Sequence, residues 1–298
     1  MEKKTLTVFT PTFNRAYCLH QLYKSLCRQT SSDFLWLIID DGSTDNTKEI
    51  VSSWINEDRV NVVYIYQENQ GMHGAHNTAY NNIITELNVC IDSDDFMPDN
   101  AVEIIIEKWK TVKNDFSLAG IIGYDVYKNL KTVGTDLPQK VSKTTLSDLY
   151  YKYGVKGDKK LVLKTSIVKK FPAYPLFQEE KFVPLHTLYL MIDQEYELAC
   201  LNEPLCVVEY MPDGSSLNIF KQYKRHPRGF RYSRIIELKY LKNVKTRVIK
   251  TLHLISSTLF IGDYKFFKGN PAKFLTLICL PLGILFHLYI KHKIKNSQ

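Results

Sequence analysis

The chain has 298 residues, 45% hydrophobic and 23% charged, a mix that excludes a disordered polymer and fits one large domain or a domain with an appendage. Its net charge of +8, from 39 Lys and Arg against 31 Asp and Glu, suits anionic partners without choosing among phosphates, acidic lipids and nucleic acid. The six cysteines stand at neither zinc-ligand nor Cys-x-x-Cys spacing, so they read as free thiols in a reducing compartment. In chain order, Leu6–Phe9, Phe34–Ile39, Val60–Tyr66 and Val89–Ile91 are short apolar runs with the β-branched or aromatic content of buried strands. Pro11, Asn14 and Arg15 interrupt the first apolar stretch, unlike a signal peptide, and the N-terminal body is expected in the cytoplasm.

Helical patterns fill the gaps. Leu19, Leu22 and Leu26 share a face, as do Ile50, Val51, Trp54 and Ile55 behind a cap at Asp45 or Asn46. Ala75, Ala79, Ile83 and Leu87 repeat every four residues. Strand alternating with helix predicts an α/β fold, a parallel sheet with right-handed crossovers. Asp99 is the expected cap of a helix carrying Val102, Ile105, Ile106 and Trp109, and Leu118–Val126 reads as a further strand. Residues 128–160 are polar and carry no clear pattern. Leu161–Leu163, Tyr196–Leu201 and Leu205–Glu209 read as later strands, and the chain turns helical from about Ile219. The expected domains are therefore 1–218, with a nucleotide-binding half at 1–100 and an acceptor half at 101–218, and a helical, basic and apolar extension at 219–298.

Each of the first four strands is followed by a polar segment: Pro11-Thr12-Phe13-Asn14-Arg15, Asp40-Asp41-Gly42-Ser43-Thr44-Asp45, Gln67-Glu68-Asn69-Gln70-Gly71, and Asp92-Ser93-Asp94-Asp95. In a parallel sheet these are all carboxyl ends, and they gather at the edge where such folds bind ligands. A carboxylate at Asp40 or Asp41 is able to accept from a base N–H or a ribose hydroxyl. Gly42 and Gly71 allow close approach of backbone to ligand. Asp92-Ser93-Asp94 offers the hard oxygen ligands that Mg²⁺ or Mn²⁺ prefers, and such an ion holds a diphosphate. Taken singly, Asp41-Gly42 is an ordinary turn and Asp-x-Asp an ordinary loop or cap. Their succession on strand ends is what points to a nucleotide sugar.

Over Val8–Thr47 the chain resembles the family 2 glycosyltransferases, which have the GT-A fold and include bacterial surface-polysaccharide enzymes. Glu68–Tyr80 resembles that family's Asn-x-Gly…Ala-Arg-Asn stretch, and Ile91–Asp95 its Asp-x-Asp motif. His76 departs from the pattern, standing where many members have Arg. The resemblance implies that Pro11, Thr12, Asn14 and Asp41 contact the nucleoside, commonly uridine, with Gly71 and Ser93 also on the donor. Asp92 and Asp94 then line the diphosphate and the metal, Asp94 being the first choice of direct ligand and Asp92 the second. It further implies direct displacement with inversion, a carboxylate deprotonating the acceptor. Glu180 is the first choice for that base and Glu179 the second, with Lys181 where an Asp is expected. Asp213-Gly214-Ser215-Ser216 and the basic stretch Lys221–Arg228 match a segment that covers the donor diphosphate in relatives, or else form a solvated loop.

Phe274–Ile290 is seventeen residues without formal charge, bounded by Lys273 and by Lys291, Lys293 and Lys295. Pro281 and Gly283 are expected to break it. Short length and basic flanks favour an in-plane anchor over a core helix or a span, with Leu252–Ile261 as a second membrane-facing piece. The expected partners are a nucleotide-sugar donor, a glycan or lipid-linked acceptor and an anionic membrane surface at the cytoplasmic face, and not nucleic acid. Two other functions fit less well. A nucleotidyltransferase would need a Gly-rich phosphate loop after the first strand. A catalytically degenerate GT-A membrane scaffold would not need an intact Asp92-Ser93-Asp94.

Overall fold

The computed structural model describes residues 4–209 and 219–296. The chain divides into two compact units, Met1–Pro172 with Glu195–Met211, and Ala173–Gln194 with Pro212–Gln298. Packing thus groups residues 173–194 with the C-terminal helices, across the chain-order boundary expected at 218.

The first unit carries the sheet. Leu6–Thr12 (β1), Phe34–Asp40 (β2), Val62–Tyr66 (β3) and Leu87–Cys90 (β4) are its first four strands. β1 lies between β2 and β4 and is parallel to both, with Leu6 opposite Phe34 and Leu87 and Thr12 opposite Asp40; β3 continues the parallel set beyond β2. The crossovers are the helices Ala16–Cys27 (α1), Thr47–Glu57 (α2) and Met72–Asn82 (α3). Ala101–Val112 (α4) then leads to Leu118–Tyr127 (β5), Lys143–Thr144 (β6), Lys159–Lys164 (β7) and Glu197–Val208 (β8). The full order is β3-β2-β1-β4-β7-β5-β8-β6, with β7 antiparallel to both neighbours and β5 parallel to β8. The result is a mixed, mainly parallel sheet.

The core forms where the inward faces of α1, α2 and α4 meet the sheet. Tyr23 of α1 stacks on Trp54 of α2 with ring centroids 4.5 Å apart, and Trp36 of β2 lies 5.7 Å from Trp54. Trp36 can be buried because its indole N–H donates to Thr10 Oγ1 at 2.9 Å.

Several expectations shift. The four-residue repeat from Ala75 overruns its helix: α3 ends at Asn82, Ile83 is extended, and Leu87 opens β4. Both residues are buried, so the spacing persisted across an element boundary. Asp99 does not cap α4; it takes the guanidinium of Arg28 at 2.9 Å, and Asn100 holds the cap position. The unpatterned stretch holds β6 and a helix, Leu146–Tyr151 (α5), whose Thr145 cap accepts from the Asp148 N–H. The two late strands are one, β8, with register shifts against β5.

The short helix Thr165–Val168 (α6) follows β7; in the second unit, His186–Ile192 (α7), Ile219–Arg225 (α8), Pro227–Tyr240 (α9), Val244–Ile261 (α10) and Lys273–Lys295 (α11) form a bundle, with α9 against α7 and α10 packed on both α9 and α11. α11 runs unbroken through Pro281. Its buried stripe, Thr276, Cys279, Gly283, His287, Ile290 and Ile294, repeats at helical spacing, and that packing outweighs one lost backbone bond. Gly283 permits the approach: a Cβ there would stand 2.6 Å from Ile255 Cδ1. Leu252–Ile261 lies in this packing, with Leu254 through Thr258 buried, so it does not face outward.

Gly120 marks the tightest approach in the sheet, since a Cβ there would meet the Val162 carbonyl oxygen at 1.9 Å. Gly120→Ala must push β5 from β7 and should lower stability by roughly 1–3 kcal/mol. A urea unfolding midpoint unchanged from wild type would contradict the close approach.

Candidate active site

The parallel register brings the ends of β1, β2, β3 and β4 to one edge, and the polar segments meet there through their own hydrogen bonds. Pro11 and Thr12 close β1, and the Thr12 carbonyl accepts from the Asp41 N–H at 2.8 Å. Asn14 adopts the left-handed region at φ 53°, which Asn tolerates better than most residues. Its Oδ1 accepts from the N–H groups of Thr44 and Asp45 at 2.7 and 3.3 Å, and its own N–H donates to Ser43 Oγ at 2.9 Å. Asn14 therefore braces the loop after β2.

The two acids of that loop divide their work. Asp40 accepts from the Ser43 N–H at 2.8 Å and the Tyr64 hydroxyl at 2.6 Å. Burial, and then this bond to Asp40, push the Tyr64 hydroxyl above its ordinary pKa. Asp41 is buried; it accepts from Gln67 Nε2 at 2.7 Å, the Gln70 N–H at 2.8 Å and the Gly71 N–H at 2.7 Å. Gly71, at φ 81°, turns the chain into α3. Asp41 thus ties the second strand end to the third.

After β4, exposure alternates. Asp92 and Asp94 are half-exposed, while Ser93 and Asp95 are buried. Asp95 Oδ1 accepts from the Glu209 N–H at 3.1 Å and its Oδ2 from Cys206 Sγ at 3.6 Å, pinning the loop to the end of β8. Burial pushes the Asp95 carboxyl up to about 7, against the pull of Lys160. Nothing in the sequence pattern singled out this third acid as an anchor; its place behind the Asp-x-Asp pair was the one signal. His76 is buried edge-on to Phe9 at 5.1 Å, and its Nδ1 lies 2.9 Å from the Met72 carbonyl. Desolvation holds its pKa down against the charge of Asp92.

Among the described residues, no group of three His, Cys, Asp or Glu could hold a metal alone. Asp92 and Asp94 supply hard oxygen donors, and a divalent ion there would complete its shell from phosphate oxygens and water, as Mg²⁺ and Mn²⁺ commonly do. The donor set fits an ion that arrives with a diphosphate. A cleft of about 640 Å³, lined in part by Thr85, Glu86, Ser166 and Lys169, lies at the sheet's opposite edge, away from these acids.

Glu180 belongs to the second unit. It is 6% exposed, and its two oxygens accept from the Arg228 and Gly229 N–H groups, each at 3.0 Å, at the start of α9. Burial raises its pKa, while those N–H donors partly offset the rise. Glu179 is exposed in a left-handed turn at φ 66°. Asp213-Gly214-Ser215-Ser216 lies outside the described residues, and Lys221, Lys224 and Arg225 lie on α8.

A mixed sheet with four polar strand ends on one edge and an Asp-x-Asp turn is the arrangement of the GT-A fold. The model of glycosyl transferase family 2 matches residues 7–169, and the chain belongs to that family. It is 26% identical over 228 residues to UDP-Glc:alpha-D-GlcNAc-diphosphoundecaprenol beta-1,3-glucosyltransferase WfgD of Escherichia coli, covering 76% of this chain and 85% of WfgD. Against glycosyltransferase GlyA of Streptococcus pneumoniae it is 29% identical over 120 residues, 40% of this chain but only 17% of GlyA. The fold is similar to that of Staphylococcus aureus TarS 1–349, solved with UDP-GlcNAc, at TM-score 0.63 and 16% identity, over 87% of this chain and 73% of that one. A mannosyltransferase of Pyrobaculum calidifontis, solved with GDP-Man and Mn²⁺, aligns at TM-score 0.57 and 14% identity, over 99% of this chain and 86% of that one.

Asn14→Ala should loosen the Ser43–Asp45 loop and weaken UDP binding by about tenfold, the equivalent of roughly 1.4 kcal/mol. Calorimetric titration with UDP tests this, and unchanged affinity would separate the loop brace from donor binding.

Proposed function

We propose that this glycosyltransferase moves a sugar from a UDP-sugar to a glycan or lipid-linked acceptor in surface-polysaccharide synthesis, with inversion at the anomeric carbon. The observation that carries the reading is the convergence of four polar strand ends on one edge, with Asp92-Ser93-Asp94 at the end of β4. WfgD, which the chain matches along most of both lengths, is by its name a UDP-glucose enzyme acting on a diphosphoundecaprenol-linked sugar, and this favours the same donor and acceptor classes here.

In this reading Pro11, Thr12, Asn14 and Asp41 frame the nucleoside. Gly71 and Ser93 let backbone approach the donor, and Asp92 and Asp94 bind Mn²⁺ or Mg²⁺ with its diphosphate. Held by Asp92 and Asp94, such an ion would supply Lewis-acid neutralisation of the charge on the departing nucleoside diphosphate. The acceptor oxygen attacks the anomeric carbon and loses its proton to a carboxylate. Glu180 remains the first candidate for that base: its raised pKa makes it a stronger base than an ordinary glutamate, and the α9 N–H groups fix its orientation. Glu179 is the second. Asp94→Ala should abolish metal-dependent UDP binding while the protein stays folded; unchanged calorimetric affinity removes the metal assignment. A Glu180 base must be ionised to act, so activity should fall as pH drops through its raised pKa. Glu180→Gln should cost at least ~100-fold in transfer and erase that acidic limb. Near-normal turnover, with donor hydrolysis intact, would move the base to Glu179.

α11 supports a membrane surface as the place of work. It is long and apolar enough to cross a bilayer, with mean hydropathy 1.8, yet only 22% of its apolar window is buried, which disfavours a core helix. Phe274, Leu277, Ile278, Leu282, Leu285 and Leu288 are exposed, while the opposite stripe packs in the bundle. Such a division fits a helix lying in the acyl boundary, with Lys291, Lys293 and Lys295 meeting anionic headgroups of the cytoplasmic leaflet. The whole chain should sediment with phosphatidylserine-containing vesicles, and a variant with Leu277, Leu282 and Leu285 changed to Lys should stay in solution with its thermal midpoint kept. Equal sedimentation of both proteins would contradict the anchor.

A further inference from the structure

Beneath the Asp92–Asp95 turn lies a charged cluster that the reading above does not use. Lys160 of β7 stands opposite Gly123 of β5, and Val162 stands opposite Val89 of β4. Two residues beyond that pair, Lys160 is level with the end of β4, where the Asp92 turn begins. Its side chain is 13% exposed, and its ammonium lies 3.8 Å from Asp125 Oδ1, on a side chain 4% exposed. Among the described residues that Oδ1 has no hydrogen-bond donor, so the ion pair is what compensates its burial. The neighbouring Lys159 does not serve, because its ammonium donates to the carbonyls of Val133 and Lys156 at 3.0 Å, Asp158 at 3.2 Å and Gly157 at 3.4 Å. Asp125 stands opposite Cys206 in the sheet, and the Cys206 thiol donates to Asp95. Burial would lower the pKa of Lys160, yet the charges of Asp125, Asp95 and Asp92 hold it well above its ordinary value.

We propose that Lys160 is a positioning residue for the Asp92–Asp95 turn: its ammonium, pinned by Asp125 beneath the Cys206–Asp95 anchor, is the internal counter-charge that steadies the acids of the metal loop before the donor arrives. The inference rests on the metal reading of Asp92 and Asp94. Its physical consequence is a competition. A fixed cation behind the loop offsets carboxylate repulsion, and by the same charge it opposes a divalent ion in front. Removing that charge should leave the free protein less stable and make it gain more from the ion.

The test uses the full chain as wild type, Lys160→Met, Lys160→Arg, and Lys160→Met combined with Asp125→Asn. Thermal melting is followed with and without Mn²⁺ and UDP, and Mn²⁺ affinity in the presence of UDP is measured by calorimetry. Lys160→Met should melt lower than wild type without Mn²⁺, recover more of its midpoint with it, and bind Mn²⁺ more tightly, on the order of tenfold. Lys160→Arg should behave as wild type, and the double variant, which removes one charge of each sign, should return to a wild-type Mn²⁺ response. A purely structural lysine would lower the Lys160→Met midpoint equally in both conditions, and that outcome overturns the inference. If Lys160→Met fails to fold, the single Asp125→Asn variant decides: it removes the acid that offsets the ammonium, so Mn²⁺ affinity below wild type supports the counter-charge, and an unchanged affinity or an unfolded protein overturns it. A wild-type protein that ignores Mn²⁺ overturns the metal reading itself and this inference with it.

Discussion

Everything chemical in this chain depends on the direction of β1 relative to its neighbours. β1 is parallel to both β2 and β4, so a helix must carry the chain back after each strand, and every turn that follows a strand opens on the same edge. Were β4 reversed, Asp92 would emerge at the opposite edge, beside Glu86 and Thr165, and no loop rearrangement could return it. The turn after β4, closed by the Asp95 N–H on the Asp92 carbonyl at 3.0 Å, has the same force over shorter distances. It leaves Asp92 and Asp94 half-exposed and turns Ser93 and Asp95 inward, so the pair that could meet a metal and the acid that anchors its loop come from one four-residue segment.

The edge is organised by its own residues. Asp41 accepts three hydrogen bonds from the loop after β3, Asp40 holds Ser43 and Tyr64, and Asn14 braces the loop after β2. Buried carboxylates are tolerable when such donors surround them. A site built this way meets its ligand with loops already in place, and less of the binding energy goes to ordering them. The same bonds mean that substituting Asn14 or Asp41 removes structure as well as contacts, so a lost affinity must be read beside a stability measurement.

The sequence made the sheet legible because each early strand is a buried run bounded by polar residues, and a parallel sheet follows from their alternation with helices. The polar edge was legible for the same reason: the segments bearing Asp41, Asp92 and Asp94 need only the strand directions to open on one side. What escaped was set by tertiary packing. The helix around Ala75 ended five residues before its four-residue pattern did, because Leu87 is buried by β4 rather than by α3. Pro281 failed to break α11 because a stripe of small and apolar residues packs along its length. Asp125 and Lys160 lie 35 residues apart in sequence and meet only through the antiparallel pairing of β5 with β7, which no local periodicity announces.

Glu180 illustrates how one side chain serves structure without being disqualified from chemistry. Its two oxygens receive the first free N–H groups of α9, where the helix end carries partial positive charge, so the ionised form is favoured by position. Burial works in the other direction and prevails, leaving the carboxyl more basic than a solvated glutamate. The close contact beneath it enforces the geometry: Gly229 lacks a Cβ, and one placed there would stand 2.0 Å from the Phe182 carbonyl oxygen, so α9 begins hard against the segment that bears Glu180. A carboxylate oriented by two backbone donors retains lone pairs for a third partner. Held so, Glu180 anchors the start of α9 with its orientation fixed, and mutation of Gly229 would disturb the anchor and with it any proton-accepting role proposed for the carboxylate.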